Sequence, residues 1–286
     1  MPADLHLHSI YSDGSCTPTE LVELARERGL DTVALADHDT VAGLDEMILV
    51  GKERGIQVIP AIEFSTYEGD VELHILAYYI DYRNPSFQEE IRKLYEKRKE
   101  RAAAMIARLN ELGIGLSYQQ VRKIAGTDYI GRPHIARAMV EAGYVREMKD
   151  AFSQEYIGNG GRAYLPKYRL VTEEAINLIH NYGGIAILAH PFHVNGRDYM
   201  DKRAIEALVH YGLDGLEVYH SKHSRDITAY YLTIARELGL LVSGGSDFHG
   251  ENSPGVEMGD IKLVDRYVRR IQEYCRKKQL SYKARR

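Results

Sequence analysis

What most constrains this chain is where its histidines and acids fall. Short β-type runs recur, and most of them end in His, Asp or Glu. Ala3–His8 carries His6 and His8 two residues apart, so period-two geometry puts both on one face. Thr32–Asp37 (TVALAD) leads into Asp37-His38-Asp39, and Val58–Phe64 reaches Glu63. Val71–Ile80, joined to it by the turn residues Glu68-Gly69-Asp70, carries His74. Ile185–Ala189 is followed by His190-Pro191, and Leu241–Gly244 by Ser246-Asp247-Phe248-His249. Gly215–Tyr219 is a seventh run. Helical patterns fall between the strands, such as Pro18–Arg28 behind the N-cap Thr17, and Thr40–Arg54. Repeated β-then-α predicts an α/β chain with helices outside a parallel sheet or barrel. Seven runs, not eight, predict a distorted (β/α)7 barrel.

Residues 86–165 break the pattern. Ile91, Leu94, Ala102, Met105, Ile106, Leu109 and Leu112 recur at helical spacing, and helices are expected over Ser117–Ala125 and Pro133–Ala142. This segment reads as a helical insertion between barrel parts 1–85 and 166–265. It carries 14 basic and 10 acidic residues, a net +4, in a chain whose net charge is −4. Residues 266–286 add nine Lys or Arg against the single acid Glu273. A basic helix and tail of this kind holds an anionic partner or is simply solvated.

Composition excludes several classes. With 44% hydrophobic and 27% charged residues the chain is too apolar to be disordered. No apolar run reaches the ~18 residues of a membrane span, and no secretory signal is visible, so a cytoplasmic protein without a membrane partner is expected. The two cysteines, Cys16 and Cys275, offer neither a disulfide framework nor a Cys-type zinc site.

Polar residues at the C-terminal ends of barrel strands converge on one mouth. Imidazoles and carboxylates gathered there suit Zn, Mn or Fe. Without a cation, the desolvated carboxylates would need other partners. His180 and His210, alone on helical segments, read as surface residues.

The motifs Asp4-Leu5-His6-Leu7-His8-Ser9, Ser12-Asp13-Gly14, Ala36-Asp37-His38-Asp39-Thr40, Ala189-His190-Pro191 and Gly245-Ser246-Asp247-Phe248-His249 resemble, in order, those of the PHP (polymerase and histidinol phosphatase) family. The resemblance spans residues 3 to about 255. It implies a distorted seven-stranded barrel, a trinuclear centre of Mn, Zn or Fe, and phosphoesterase activity. Carried over by position, His6, His8, Glu63 and Asp247 would hold one metal. Glu63 would bridge to a second, held also by His74 and His190, and Asp13, His38 and His249 would hold the third. Some branches have His at the Asp13 position. Asp37 and Asp39 would orient imidazoles from behind. The family often has Gly where this chain has Phe192, which bears on the local loop and nucleotide access.

Within the family, the insertion and Gly131-Arg132-Pro133-His134-Ile135-Ala136-Arg137 look like the branch of nucleoside 3′,5′-bisphosphate phosphatases and 5′-to-3′ exoribonucleases. Arg132 and His134 flank a helix N-terminus opened by Pro133, which is either an anion site or a plain helix cap. Lys167 and His223 are further candidates for a phosphate, with His193 and His220 behind them.

The expected reaction follows from charge. Three divalent ions would outweigh the carboxylates of Asp13, Glu63 and Asp247 and leave a cationic mouth suited to phosphate esters. A hydroxide bridging two ions would attack phosphorus in line, with Glu63 as the catalytic bridge. His223 or a metal-bound water would protonate the leaving alkoxide. The substrate expected first is a nucleotide with two terminal phosphates. Short RNA trimmed from its 5′ end, histidinol phosphate, amide hydrolysis, or a non-catalytic metal-stabilised module are the alternatives.

Overall fold

The computed structural model of the chain describes residues 2–126, 130–192, 194 and 199–283. Seven strands form one sheet path: β1 (Ala3–Leu7), β2 (Thr32–Leu35), β3 (Gln57–Glu68), β4 (Val71–Tyr78), β6 (Ile185–Leu188), β7 (Gly215–His220) and β8 (Leu241–Gly245). A two-residue strand that the sequence did not signal, β5 (Leu170–Val171), pairs parallel to β3 off this path. β8 returns to β1: Asp247 N–H donates to the His6 carbonyl at 3.0 Å and His8 N–H to the Phe248 carbonyl at 3.0 Å, so the sheet nearly closes.

β4 runs antiparallel to both β3 and β6, while the other neighbours on the path are parallel. The reason is the tight turn at Gly69-Asp70, where Gly69 sits at φ 61°. A reversed strand presents its early residues where its neighbours present their late ones. His74 therefore stands opposite Ser65 and reaches the same mouth as Glu63.

The barrel interior is filled by Leu5, Ala34, Ala36, Ile59, Ala61, Leu76, Tyr78, Ile187 and Ala189. Small and large side chains together fill a narrow barrel. The β1–β2 register is irregular between Asp4 and Leu7, which lets Leu5 join this inner layer while His6 and His8 still reach the mouth. Gly245 packs against the backbone of that strand, where a Cβ would lie 2.5 Å from His6 N. The outer layer, with Leu35, Phe64, Leu188 and Val218, packs under α1 (Pro18–Glu27), α2 (Leu44–Arg54), α7 (Thr172–Asn181), α8 (Lys202–His210) and α9 (Arg225–Glu237). α1 has the expected Thr17 cap, closed as a capping box with Glu20. α2 starts at Leu44, four residues later than the sequence suggested.

α3 (Pro85–Glu111) joins the barrel to the insertion. Its Phe87 and Ile91 pack on the barrel's outer layer, whereas Met105, Ile106 and Leu109 join a separate core with Val121, Ile135 and Met139. That core belongs to α4 (Tyr118–Ala125), α5 (Arg132–Glu141) and α6 (Met148–Ala151). α10 (Asp265–Lys283) corrects the picture of a solvated tail. Its Val268, Ile271 and Cys275 join the barrel's inner layer and floor it at the end opposite the mouth. The Lys278 ammonium and Tyr274 hydroxyl, each at 2.7 Å, bind buried Asp214.

Candidate metal centre

The mouth gathers the residues the strand ends promised. Glu63 is fully buried at its centre. One oxygen lies 3.0 Å from His74 Nδ1, 3.2 Å from His190 Nε2 and 3.4 Å from His6 Nε2. The other lies 2.9 Å from His38 Nδ1 and 3.4 Å from His8 Nε2. Asp247 stands 3.2 Å from His8 Nε2 and 3.6 Å from His6 Nε2. Asp13 stands 3.3 Å from His249 Nε2 and 3.8 Å from His38 Nε2. Three groups have ligand atoms converging on a common point: His6, His8 and Asp247; His38, Glu63 and His74; and His8, Asp13, His38 and His249. The resemblance put His38 with Asp13 and His249 alone, whereas the geometry also sets it beside Glu63.

Buried polar atoms show that this cluster suits cations. His6 Nε2, His8 Nε2, His38 Nδ1, Glu63 Oε2 and Asp13 Oδ1 are buried without a hydrogen-bond partner. Groups of this kind are costly unless something coordinates them. Divalent ions fit, because every orphan is a metal-ligating nitrogen or oxygen. Burial would raise the Glu63 pKa, but His38, His74 and His6 hold it well below the usual carboxylate range. Asp247 and Asp13 are likewise held low against burial, by His6 and by His38 respectively. Burial, reinforced by His249, pushes His8 down to about 3, which leaves it neutral as a ligand must be. Burial opposes protonation of His74 and His249 too, but Glu63 lifts the first to about 10 and Asp13 the second to about 9. Cation binding there displaces protons. Backbone strain marks the same place: of the four non-glycine residues at positive φ among the described residues, Asp39 (53°), His190 (26°) and Asp247 (58°) sit at the mouth.

The layer behind the cluster differs from expectation. Asp37 accepts from Ser9 N at 2.7 Å and from the hydroxyls of Ser9 at 2.6 Å and Ser12 at 2.5 Å. It reaches an imidazole only through Ser12, which lies 3.5 Å from His8 Nδ1. Among the described residues Asp39 meets no imidazole: it accepts from Ser65 N and pairs with Arg98 of α3. The carboxylate that does orient histidines is Glu217, fully buried in β7, which accepts from His6 Nδ1 at 2.9 Å and His190 N at 2.7 Å. An acid inside an otherwise apolar strand was the signal for it. His220 also comes closer than expected, with Nε2 3.6 Å from Asp247.

α5 divides the approach to the centre into two openings. One, of 180 Å³, is bounded by Asp13 and His38 and lined by Arg98, Arg101, Arg132 and Lys167. The other, of 720 Å³, is lined by His134, Arg137, Lys222, Asp247 and His249. The expected Arg132, His134 and Lys167 therefore line these openings, and Arg98 and Arg101 are additions. His134 accepts from Gly131 N at 3.1 Å through Nδ1, and burial keeps its pKa below the usual value, so its proton sits on Nε2. Lys167 is engaged by Glu72 at 2.5 Å. His223 lines neither opening. Its Nδ1 meets the Val218 carbonyl at 2.9 Å, and its ring lies 5.2 Å beyond that of His220, so its position lends no support to a proton-donor role. Phe192 stacks on Tyr199 beside it. His193 lies outside the described residues.

A nearly closed barrel whose strand ends deliver imidazoles and carboxylates to one point defines a barrel-type metal-dependent hydrolase. Comparison with known proteins narrows this. The PHP domain matches residues 4–230, and the chain belongs to that family. It is 35% identical over 266 residues to a 5′-3′ exoribonuclease of Haemophilus influenzae, covering 93% of this chain and 96% of the relative. It is 34% identical over 261 residues to a 3′,5′-nucleoside bisphosphate phosphatase of Chromobacterium violaceum, covering 90% of each. A crystal structure from Bifidobacterium adolescentis, provisionally assigned as a metal-dependent phosphoesterase, superposes with a TM-score of 0.84 at 35% identity over 94% of each chain. The protein is a metal-dependent phosphoric ester hydrolase. No helix among the described residues is long and apolar enough to cross a membrane.

Proposed function

We propose that this enzyme hydrolyses the 3′-phosphate ester of a nucleotide, with a nucleoside 3′,5′-bisphosphate as its preferred substrate. One observation carries the reading: the basic helical insertion brings Arg132 and His134 to openings on an acid-and-imidazole cluster. Such an arrangement offers a guanidinium and a neutral N–H donor to the phosphate oxygens of one substrate. The C. violaceum relative's name supports the same substrate class.

In this reading His6, His8, Glu63 and Asp247 hold one divalent ion, Glu63 with His74 and His190 a second, and Asp13, His38 and His249 a third, drawn from Mn, Zn or Fe. Bound ions supply Lewis-acid polarisation of the phosphoryl oxygens and a lowered pKa for water. The protein's own groups do the rest. Arg132 and Lys167 bind phosphate oxygens, His134 donates from Nε2, and Glu217 fixes the His6 ring so that Nε2 faces the centre. The cytoplasm is the compartment that suits the two free cysteines.

A second reading has its own observation. The 720 Å³ opening is large enough for more than one phosphate, and the H. influenzae relative is named a 5′-3′ exoribonuclease. Phosphate or nucleotide release should be followed on 3′,5′-bisphosphates, 3′- and 5′-monophosphates and short 5′-phosphorylated RNAs, with metal content measured on the same sample. Preference for the bisphosphate with a shallow salt dependence supports the first reading. A steep salt dependence on RNA supports the second, because a polymer releases many counterions. Inactivity on all of them refutes both.

A further inference from the structure

Arg101 lies in α3 one turn beyond Arg98. Its Nε donates to the Leu165 carbonyl at 2.7 Å, and its Nη2 is buried with no hydrogen-bond partner. Arg132 approaches from α5. The guanidinium carbons of Arg101 and Arg132 stand 5.8 and 5.4 Å from the ring of the same residue, Tyr164. Among the described residues Arg132 binds only neutral acceptors, Asn159 Oδ1 at 2.7 Å and the Ile157 carbonyl at 3.4 Å.

The other two cations of this opening are already neutralised, Arg98 by Asp39 and Lys167 by Glu72. Among the described residues neither Arg101 nor Arg132 meets a carboxylate, so the two positive charges beside Tyr164 are uncompensated. Burial, and after it the charge of Arg132, pushes Arg101 down to about 10. Removing charge from water without a counter-ion is unfavourable, and the pair is matched only when an anion joins it. The cavity between them and the metal centre is 180 Å³, below the ~300 Å³ at which pockets begin to hold a whole small molecule. A phosphate group fits that space, and a nucleoside does not.

We propose that Arg101 and Arg132 form a second anion subsite that takes the substrate's non-hydrolysed terminal phosphate, beside the centre where the other phosphate reacts. This rests on the nucleotide reading above and adds to it the residue pair that selects for two phosphates. Guanidinium forks suit the task, because each offers paired N–H donors to phosphate oxygens. An RNA would enter by its 5′-phosphate and send its remaining chain out through the wider opening past His134.

The test compares kcat/KM for a nucleoside 3′,5′-bisphosphate with that for the matching 3′-monophosphate. The wild type should prefer the bisphosphate by about 10- to 100-fold, the range of one or two hydrogen bonds to a charged group. In Arg101→Gln the ratio should fall toward one, and Arg101→Lys should recover only part of it. A ratio unchanged in both variants, or a wild type with no preference, overturns the subsite. Should the wild type act on neither nucleotide, the nucleotide reading fails by itself. Inorganic phosphate then decides, titrated into metal-free protein and read by thermal shift. A shift lost in Arg101→Gln and in Arg132→Gln upholds the subsite, and a shift retained in both refutes it. Far-ultraviolet circular dichroism on each variant shows that the insertion is folded.

Discussion

Glu217→Gln isolates the carboxylate that aims His6. The substitution keeps shape and removes charge. Glu217 now accepts from two donors, His6 Nδ1 at 2.9 Å and His190 N at 2.7 Å. A glutamine has one carbonyl and one NH2, so it satisfies only one of them. If its NH2 faces His6, the ring must accept at Nδ1 and carry its proton on Nε2, the atom 3.4 Å from Glu63 and 3.6 Å from Asp247. A protonated Nε2 cannot ligate. If its NH2 faces His190 instead, a backbone donor next to that histidine is left buried and unpaired. A hydrogen bond to a charged group contributes about 1.5–3 kcal/mol. That corresponds to roughly 10- to 100-fold in metal affinity, the usual range for groups orienting a metal-binding histidine. Without metal a loss of stability also remains, because burial opposes ionisation of Glu217 but the charges of His6, His220 and His190 hold its pKa below the ordinary value. The assay is metal titration of chelator-stripped protein by calorimetry, alongside Tm with and without metal. Metal affinity within twofold of wild type would refute the reasoning.

Chelation should abolish hydrolysis and Mn²⁺ should restore it; rebinding at a hundredfold excess over Kd should raise Tm by about 5–10 °C, and a full rate in stripped protein would contradict the metal assignment. Glu63→Ala should lower kcat by more than about 100-fold and reduce the bound metal, as measured by elemental analysis, since five imidazoles face this one carboxylate. Asp214→Asn should destabilise the fold by about 3 kcal/mol in denaturant unfolding, because it breaks a buried pair with Lys278. Burial opposes ionisation of Asp214, but His180 and Lys278 hold its pKa below the ordinary value. Its contribution is therefore complete above the unfolded pKa of ~3.9 and is lost as pH falls through the lower folded value. The wild-type and Asp214→Asn stability curves should converge at that acidic end.

The barrel was legible because strand periodicity and helix caps are local. All seven path strands lie where their apolar runs lie, and Thr17 caps its helix as its residue type suggests, whereas Ser117, read as the first residue of its helix, is the cap before it. The metal-binding residue types were legible for the same reason, since strand ends in a barrel share a mouth. The support around them was not. Asp37 and Asp39 flank His38 in sequence, yet one secures the Ser9–Ser12 turn and the other pairs with Arg98, whereas Glu217, far along the chain, holds His6. The basic C-terminal segment read as surface because nine charges outweigh its stripe of Val268, Ile271 and Cys275, which the open barrel end buries.

The sequence by itself determined the chemistry at hand: which donors exist, that they end strands, and that an added helical segment carries positive charge. Tertiary structure alone decided which carboxylate faces which ring, which arginines are already neutralised, and how α5 splits the approach into a small opening and a large one. The physical reason is range. Backbone periodicity and capping act over a few residues, while charge pairing and burial act between groups that meet only after the chain has closed on itself.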